Sequence, residues 1–311
     1  MKAIILAAPG DTENLIIKEI DLPTIEENEV LVQVKAISIN PVDVKTRSGK
    51  GLYTRLKTEG PLIIGWDIAG VVTDSKSASF KVGDEVFGMV NFPGHGKAYA
   101  DYVAAPAAHL ALKPENINFE EAAAATLAAL TAYQALVKHG NVQANQNVLI
   151  HAAAGGVGHY AVQIAKHLGA KVTGTSSVAN KDFVIGIGAD DHIDYKIYDW
   201  KTGDKKFDFV LDTIGGDNID KSLEVIKKGG TIISIPSGLN EFVTEKAKEK
   251  GVNGFLFLVE SSGKEMEIIA GYLKQGLIKS HIAKTFAFEE MAKAHQQVET
   301  GKTVGKTIVV L

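Results

Sequence analysis

A chain of 311 residues, 45% hydrophobic and 23% charged, has ordinary globular usage and is long enough for one large or two medium domains. Its formal charge of −4 and the lack of any long Lys/Arg block argue against a protein whose business is neutralising nucleic-acid phosphates. The absence of cysteine excludes disulfides, thiolate nucleophiles, iron–sulfur clusters and cysteine-ligated zinc.

The opening "MKAIILAAPGDTEN" has too short an apolar stretch, too soon followed by charge, for a signal peptide, and no stretch approaches the roughly 20 apolar residues of a membrane span. A soluble, cytoplasmic protein without membrane partners is therefore expected. From residue 2 to about 114, β-rich runs broken by Gly, Pro, Asn and Asp ("KAIILA", "LIIKEI", "EVLVQVKAISIN", "WDIAGVVTD", "DEVFGMV", "AYADYVAAPAA") predict a strand-dominated, partly open barrel. From Asn118 the texture changes to "FEEAAAATLAALTAYQALVKHG", strong helix formers running to Gly140, read as the domain crossover. Beyond it, strands ("NVLIHAA", "AKVTGTSS", "HIDY", "FDFVLDTIG", "GTIISIPSG", "GFLFLVE") alternate with helical segments, which implies right-handed βαβ crossovers and a parallel sheet. A helix at residues 288–299 and a closing strand "GKTIVVL" are expected to rejoin the first domain. The expected division is residues 1–118 with 277–311, and residues 119–276.

A strand, a glycine turn and a helix in that order are the context in which a dinucleotide fingerprint carries meaning, because N–H groups at the helix start face the pyrophosphate. Here the turn reads Ala153-Ala154-Gly155-Gly156-Val157-Gly158 and leads into a helix over residues 157–168. Alanine stands at the first glycine position. Gly155 still allows close approach of phosphates, and Gly158 still allows the helix to pack on the strand. A turn needed only for packing is the alternative. About 20 residues on, an NAD site usually carries Asp or Glu for the ribose hydroxyls. This chain has "GTSSVANK" instead, where Ser176, Ser177, Asn180 and Lys181 offer hydroxyls, an amide and a positive charge suited to a 2′-phosphate. NADPH is the expected cofactor.

Taken in order, "SINPVDVKTRSG", "GWDIAGVV", "VGDEVFG", "AYADYV", "LTAYQAL", "HAAAGGVG" and "VGKTIVVL" resemble the zinc-independent medium-chain dehydrogenase/reductases, the quinone oxidoreductase and zeta-crystallin-like branch, over essentially the whole chain. The resemblance implies an α/β architecture: a GroES-like (chaperonin-10-like) partly open β-barrel catalytic domain and a doubly wound Rossmann domain. Zinc-dependent members carry a Gly-His-Glu motif and cysteine ligands; Gly65-Trp66-Asp67 stands here where that motif would fall, so no metal site is expected. Without a Lewis acid, hydride addition to a quinone or to the β-carbon of an enone is favoured over alcohol oxidation, since conjugation spreads the charge.

Carried over by position, the resemblance places Asn40 beside the nicotinamide, with Asp43 in the same loop, and Lys45 where an ammonium would meet a substrate carbonyl or a developing enolate. Tyr53 is a further candidate proton donor, beside Lys45 and solvent. Thr131 matches a threonine near the nicotinamide ribose, Tyr195 a tyrosine beside the 2′-phosphate, and Ile235 and Ser237 fall at a strand's carboxyl end, where doubly wound sheets bind ligands. Lys45, Thr131, Tyr195 and Lys181 are also readable as surface or packing residues. His151, His159 and His167 recur at a spacing of eight without further ligands. Glu120 and Glu121 suit the start of a helix, Asp212 reads as turn-forming, and His95 lies in a loop, "NFPGHGKAYADYV", expected to border the active cleft. The expectation is an NADPH-dependent, metal-free reductase of quinones or α,β-unsaturated carbonyls. An enoyl-thioester or carbonyl reductase on the same scaffold is the alternative, as is an NADPH-binding sensor or structural protein with little turnover. The apolar "GFLFLVE" at a sheet edge predicts a homodimer through residues 255–259.

Overall fold

The computed structural model describes residues 1–57, 62–203, 206–235, 238–240 and 242–311. Fifteen strands are present among them: β1 Lys2–Leu6, β2 Leu15–Glu19, β3 Glu29–Ile39, β4 Asp67–Ser75, β5 Glu85–Met89, β6 Tyr102–Pro106, β7 Leu110–Leu112, β8 Asn147–Ile150, β9 Lys171–Ser176, β10 Asp191–Asp194, β11 Phe207–Asp212, β12 Ile226–Ser234, β13 Asn253–Leu256, β14 Ile282–Ala287 and β15 Lys306–Val310. The chain divides into two compact units, Met1–Leu130 with Glu260–Leu311, and Thr131–Val259.

The first unit is built on a sheet ordered β14-β15-β3-β4-β5-β7, with β6 also pairing β3 and a separate β1–β2 hairpin. Along β3, alternate residues Val30, Val32, Val34 and Ala36 are buried, the period of a half-covered strand. From Ile37 to Ile39 every residue is buried, because the helix Phe119–Ala124 covers β3 and β4. Trp66, Phe87, Tyr99 and Met89 fill the core, each apolar side chain so buried contributing about 1.5–3 kcal/mol. The closing strand β15 pairs antiparallel with β3, so the C-terminal segment does rejoin the N-terminal one.

The second unit is a fully parallel sheet ordered β10-β9-β8-β11-β12-β13. In chain order this is the 3-2-1-4-5-6 arrangement of doubly wound dinucleotide folds, whose ligands lie beyond the carboxyl ends of the strands. Leu149, Val210, Ile219, Leu223, Ile232 and Trp200 form its core.

Several elements differ from expectation. The alanine-rich segment is not one helix: it runs Phe119–Ala124, breaks, resumes at Leu127–Tyr133, and ends as a π-helix, Gln134–His139. The break has a tertiary cause, since the Asp67 carboxylate accepts from the Leu127 N–H (3.1 Å) and so caps a new helix start. "AYADYVAAPAA" forms a strand only at β6. "GFLFLVE" leaves the ladder after Leu256, apart from the Phe257 N–H on the Ser234 carbonyl (3.0 Å). Segments 119–130 and 260–276, placed with the second domain on sequence texture, pack with the first unit. Ser280 Oγ donates to the Glu121 carbonyl, Asn116 Nδ2 to that of Leu273, and Gly263 lies against the backbone of Ala108 and Leu110, where a Cβ would come within 2.6 Å. No helix among the described residues is long and apolar enough to cross a membrane.

Candidate active site

In the second unit β8 feeds a turn whose backbone is held tightly. Ala152 adopts φ +47°, its N–H reaches Thr175 Oγ1 (3.2 Å), the Ala153 N–H donates to the Thr175 carbonyl (2.8 Å), and the Gly155 N–H to that of Ala152 (2.8 Å). The helix Gly156–His167 then begins with Gly155 as its extended N-cap. Ala153 and Ala154 are buried and their role is to shape the turn. Gly158 has a geometric necessity: a Cβ there would lie 2.2 Å from the Ala152 oxygen and 2.8 Å from Ala153 Cα. With the helix pressed this close to its strand, the first-turn N–H groups of Gly156, Val157 and Gly158 have no intrahelical acceptor and form a ready anion cradle. These residues fit a dinucleotide pyrophosphate.

The end of β9 carries hydroxyls and no carboxylate. Ser176 is only 5% exposed; its hydroxyl donates to the Ser177 carbonyl (2.9 Å) and stands 2.7 Å from His192 Nε2. Ser177 is half-buried, Lys181 is exposed at the start of the helix Lys181–Gly186, and Tyr195 is 49% exposed with its N–H toward the Ser176 carbonyl (3.4 Å). Ser176, Ser177, Asn180, Lys181 and Tyr195 thus belong to one corner, which His192, missed in the sequence, completes. Ile235 follows β12 at the same carboxyl edge, its N–H on the Asp212 carbonyl (3.0 Å); Ser237 lies outside the described residues. Asp212 is the turn-former expected, accepting from Ile214 N–H, Gly215 N–H, Asn218 Nδ2 and Ser234 Oγ. Thr131 is buried.

His151 is a core residue. Its ring nitrogens meet Thr175 Oγ1 (3.2 Å) and Ser222 Oγ (3.0 Å), and burial pushes its pKa down to about 4, so it is neutral at ordinary pH. His159 Nδ1 turns to the Gly155 carbonyl (3.0 Å). Among the described residues no group of His, Asp or Glu is placed to hold a metal ion.

In the first unit the loop after β3 carries Asn40 and Asp43 into a buried polar cluster. Asn40 caps the helix Pro41–Arg47: its N–H donates to Asp43 Oδ2 (2.6 Å), a capping box that also fixes Asp43. The Asn40 amide joins opposite charges, donating through Nδ2 to Asp67 Oδ2 (2.7 Å) and accepting at Oδ1 from Lys306 Nζ. Burial, and next the charge of Asp67, push the Asp43 carboxyl up to about 7; burial also raises Asp67 and lowers Lys306. Tyr99 Oη and His295 Nε2 pair at 2.8 Å in the same interior, and Arg47 is paired with Glu299. The resemblance sets Asn40 beside the nicotinamide, with Asp43 in the same loop. In the structure both are buried: the Asn40 amide and Asp43 Oδ2 are engaged by protein partners that hold the loop, while Asp43 Oδ1 has no hydrogen-bond partner among the described residues. Lys306, Tyr99 and His295 were missed; the available signal was a lysine inside the apolar strand "KTIVV".

Lys45, on that helix, is half-buried, and burial followed by the charge of Lys50 lowers its pKa. Tyr53 opens the short helix Tyr53–Leu56 and is half-buried. In the loop bearing His95, Asn91 Nδ2 donates to the His95 carbonyl (3.2 Å) and Trp66 Nε1 to that of Gly94 (2.7 Å). Glu121 completes a capping box with Asn118, the structural role expected of it.

A GroES-like β unit carried with a 3-2-1-4-5-6 Rossmann unit is the architecture of nicotinamide-dependent dehydrogenases and reductases. Comparison with known families agrees. Residues 26–115 match the alcohol dehydrogenase GroES-like domain and residues 187–309 a zinc-binding dehydrogenase domain. The chain is 34% identical over 321 residues to the NADPH-dependent alkenal/one oxidoreductase of Arabidopsis thaliana, covering 99% of this chain and 79% of that protein. Among solved structures it superposes on the quinone oxidoreductase of Coxiella burnetii with a TM-score of 0.94 at 35% identity, covering 100% of this chain and 99% of the other. On the quinone oxidoreductase of Escherichia coli complexed with NADPH the TM-score is 0.89 at 29% identity, with 100% of each chain covered. The chain belongs to the quinone oxidoreductase branch of the medium-chain dehydrogenase/reductases.

Proposed function

We propose that this protein is an NADPH-dependent reductase of quinones or α,β-unsaturated carbonyls. The observation that carries the reading is the β9 corner: a glycine turn that fits a pyrophosphate, followed by a strand end with Ser176, Ser177 and Lys181 and without the carboxylate a free ribose hydroxyl calls for. The relatives named for alkenal/one and quinone reduction supply the acceptor class. When bound, the reduced nicotinamide supplies a hydride. The residues of the chain do the rest: Gly156 to Gly158 bind the pyrophosphate, the β9 corner holds the 2′-phosphate, and the Asn40–Asp67–Lys306 cluster fixes the loop that presents Lys45. An ammonium whose pKa is lowered by burial donates more readily to an oxyanion, so Lys45 is assigned to the substrate carbonyl oxygen. Lys45→Met should lower kcat on an enone by about a hundredfold; Tyr53→Phe, assayed beside it, decides which of the two makes the contact.

A homodimer through the edge strand and a cytoplasmic location are part of the same proposal. Strand β13 is one edge of its sheet, and Leu256 within it and Leu258 just beyond it are 55% and 54% exposed. The first test is the initial rate of NADPH oxidation, with NADH in parallel, against an ortho-quinone and a medium-length 2-alkenal. Turnover with NADPH well above NADH supports the reading, and the better acceptor selects its substrate. No turnover with either acceptor overturns it.

A further inference from the structure

The β9 corner contains one group whose chemistry the proposed function has not used. Ser176 Oγ is a single donor and already gives its proton to the Ser177 carbonyl (2.9 Å). With the proton so placed, Oγ accepts from a hydrogen on His192 Nε2, 2.7 Å away, the tautomer that leaves the ring's lone pair at Nδ1. His192 stands in the middle of β10, half-buried, with Thr173, Gly174, Thr175 and Ser176 of β9 alongside. That neighbouring strand offers it hydroxyls and no charge. The charged groups acting on the ring are Lys181 from the adjoining helix, and Asp194 and Asp191 from its own strand.

Resting on the NADPH reading, we propose that His192 is a specificity-determining residue: it takes up a proton at Nδ1 when a phosphomonoester binds at the β9 corner, and the resulting imidazolium favours the phosphorylated dinucleotide. The proton comes from solvent, no covalent bond to the ligand forms, and the Nε2–H bond to Ser176 is kept in both states. Burial, and after it the charge of Lys181, hold the free ring below the ordinary histidine range despite Asp194 and Asp191, so the ring is neutral before the ligand arrives. A 2′-phosphate brings a charge of about −2 at pH 7, which reverses the local balance and draws the proton in. The sign is diagnostic. Proton release is what a phosphate placed beside Lys181 alone would give, since a nearby cation depresses the phosphate's own second pKa.

The experiment is titration calorimetry of the full chain with NADPH and with NADH at pH 7, each in buffers of different ionisation enthalpy, repeated for His192→Gln. Glutamine can still donate to Ser176 Oγ and cannot take the proton, so it separates the charge from the packing. The expected result is net proton uptake with NADPH and none with NADH, and an NADPH affinity that falls by up to about tenfold per pH unit as pH rises above neutrality. In His192→Gln the uptake disappears, and the NADPH-to-NADH affinity ratio falls about tenfold at pH 6.5 and less at pH 8. A wild type that prefers NADPH but shows no uptake, or a variant that keeps both the uptake and the ratio, overturns the inference and leaves the NADPH reading intact. A wild type that binds NADPH no tighter than NADH overturns the reading itself, and the inference with it.

Discussion

Asn40 stands between an ammonium and a carboxylate that are both out of water, and its amide satisfies each with the end of matching polarity. Removing such a bridge leaves two buried charges under-satisfied, so Asn40→Ala should cost about 3 kcal/mol in chemical denaturation, with Asn40→Asp no milder because it adds a third carboxyl group. Asp43 makes the opposite case. Its folded pKa of about 7 lies above the usual 3.8, so the folded state holds a proton that the unfolded chain gives up between those values. The wild type therefore loses stability from this group as pH rises from about 4 to 7. Asp43→Asn escapes that loss and keeps an acceptor for the Asn40 N–H, so its stability relative to wild type should climb across the same window. Denaturation midpoints at pH 5 and pH 8 check this; a constant difference would refute it. The residues of the glycine turn could be read locally because strand, turn and helix are adjacent in the chain. Lys306 could not, because its partner Asn40 is 266 positions away and nothing near a lysine in a strand announces a buried carboxylate.

Between elements, the most constrained contact is the helix Gly156–His167 on its turn. Gly158→Ala would force a methyl to within 2.2 Å of a backbone oxygen, and backbone cannot swing aside as a side chain can. We expect a loss of about 2 kcal/mol or more in stability together with weakened NADPH binding, measured by denaturation and by fluorescence titration. The edge strand carries its own prediction: Leu256→Lys with Leu258→Lys should yield monomers in light scattering while leaving far-UV circular dichroism unchanged, since both side chains are exposed. Elements with strong local patterns, such as the alternation along β3 and the apolar runs of β8 and β11, were legible in the sequence. The interruption at residues 125–126 was not. Thr126 is the one weaker helix former in a run of alanine and leucine and too slight a signal by itself, and the new start is imposed by Asp67, whose carboxylate arrives from β4.

For the whole molecule, acid lability is written into both units. His151 and His295 are buried and neutral, with pKa values pushed down by burial to about 4 and about 3. The unfolded chain binds protons at these sites from about pH 6.5 downward while the folded chain resists, so the stability these two groups contribute is full above 6.5 and is lost as pH falls toward 4, by up to about 3 kcal/mol for each. His151→Gln should flatten part of that acid limb, measured as the midpoint of thermal unfolding against pH. The two units also differ in how their chains are made. The second is one continuous stretch, Thr131–Val259, whereas the first is completed by Glu260–Leu311. During synthesis the Rossmann unit emerges entire and is free to fold, while Asp67 and Asn40 wait for the last strand to deliver Lys306. A ribosome stalled before β15 would thus display a finished nucleotide-binding unit beside an N-terminal sheet that still lacks a strand and its counter-charge, a state for chaperones to recognise.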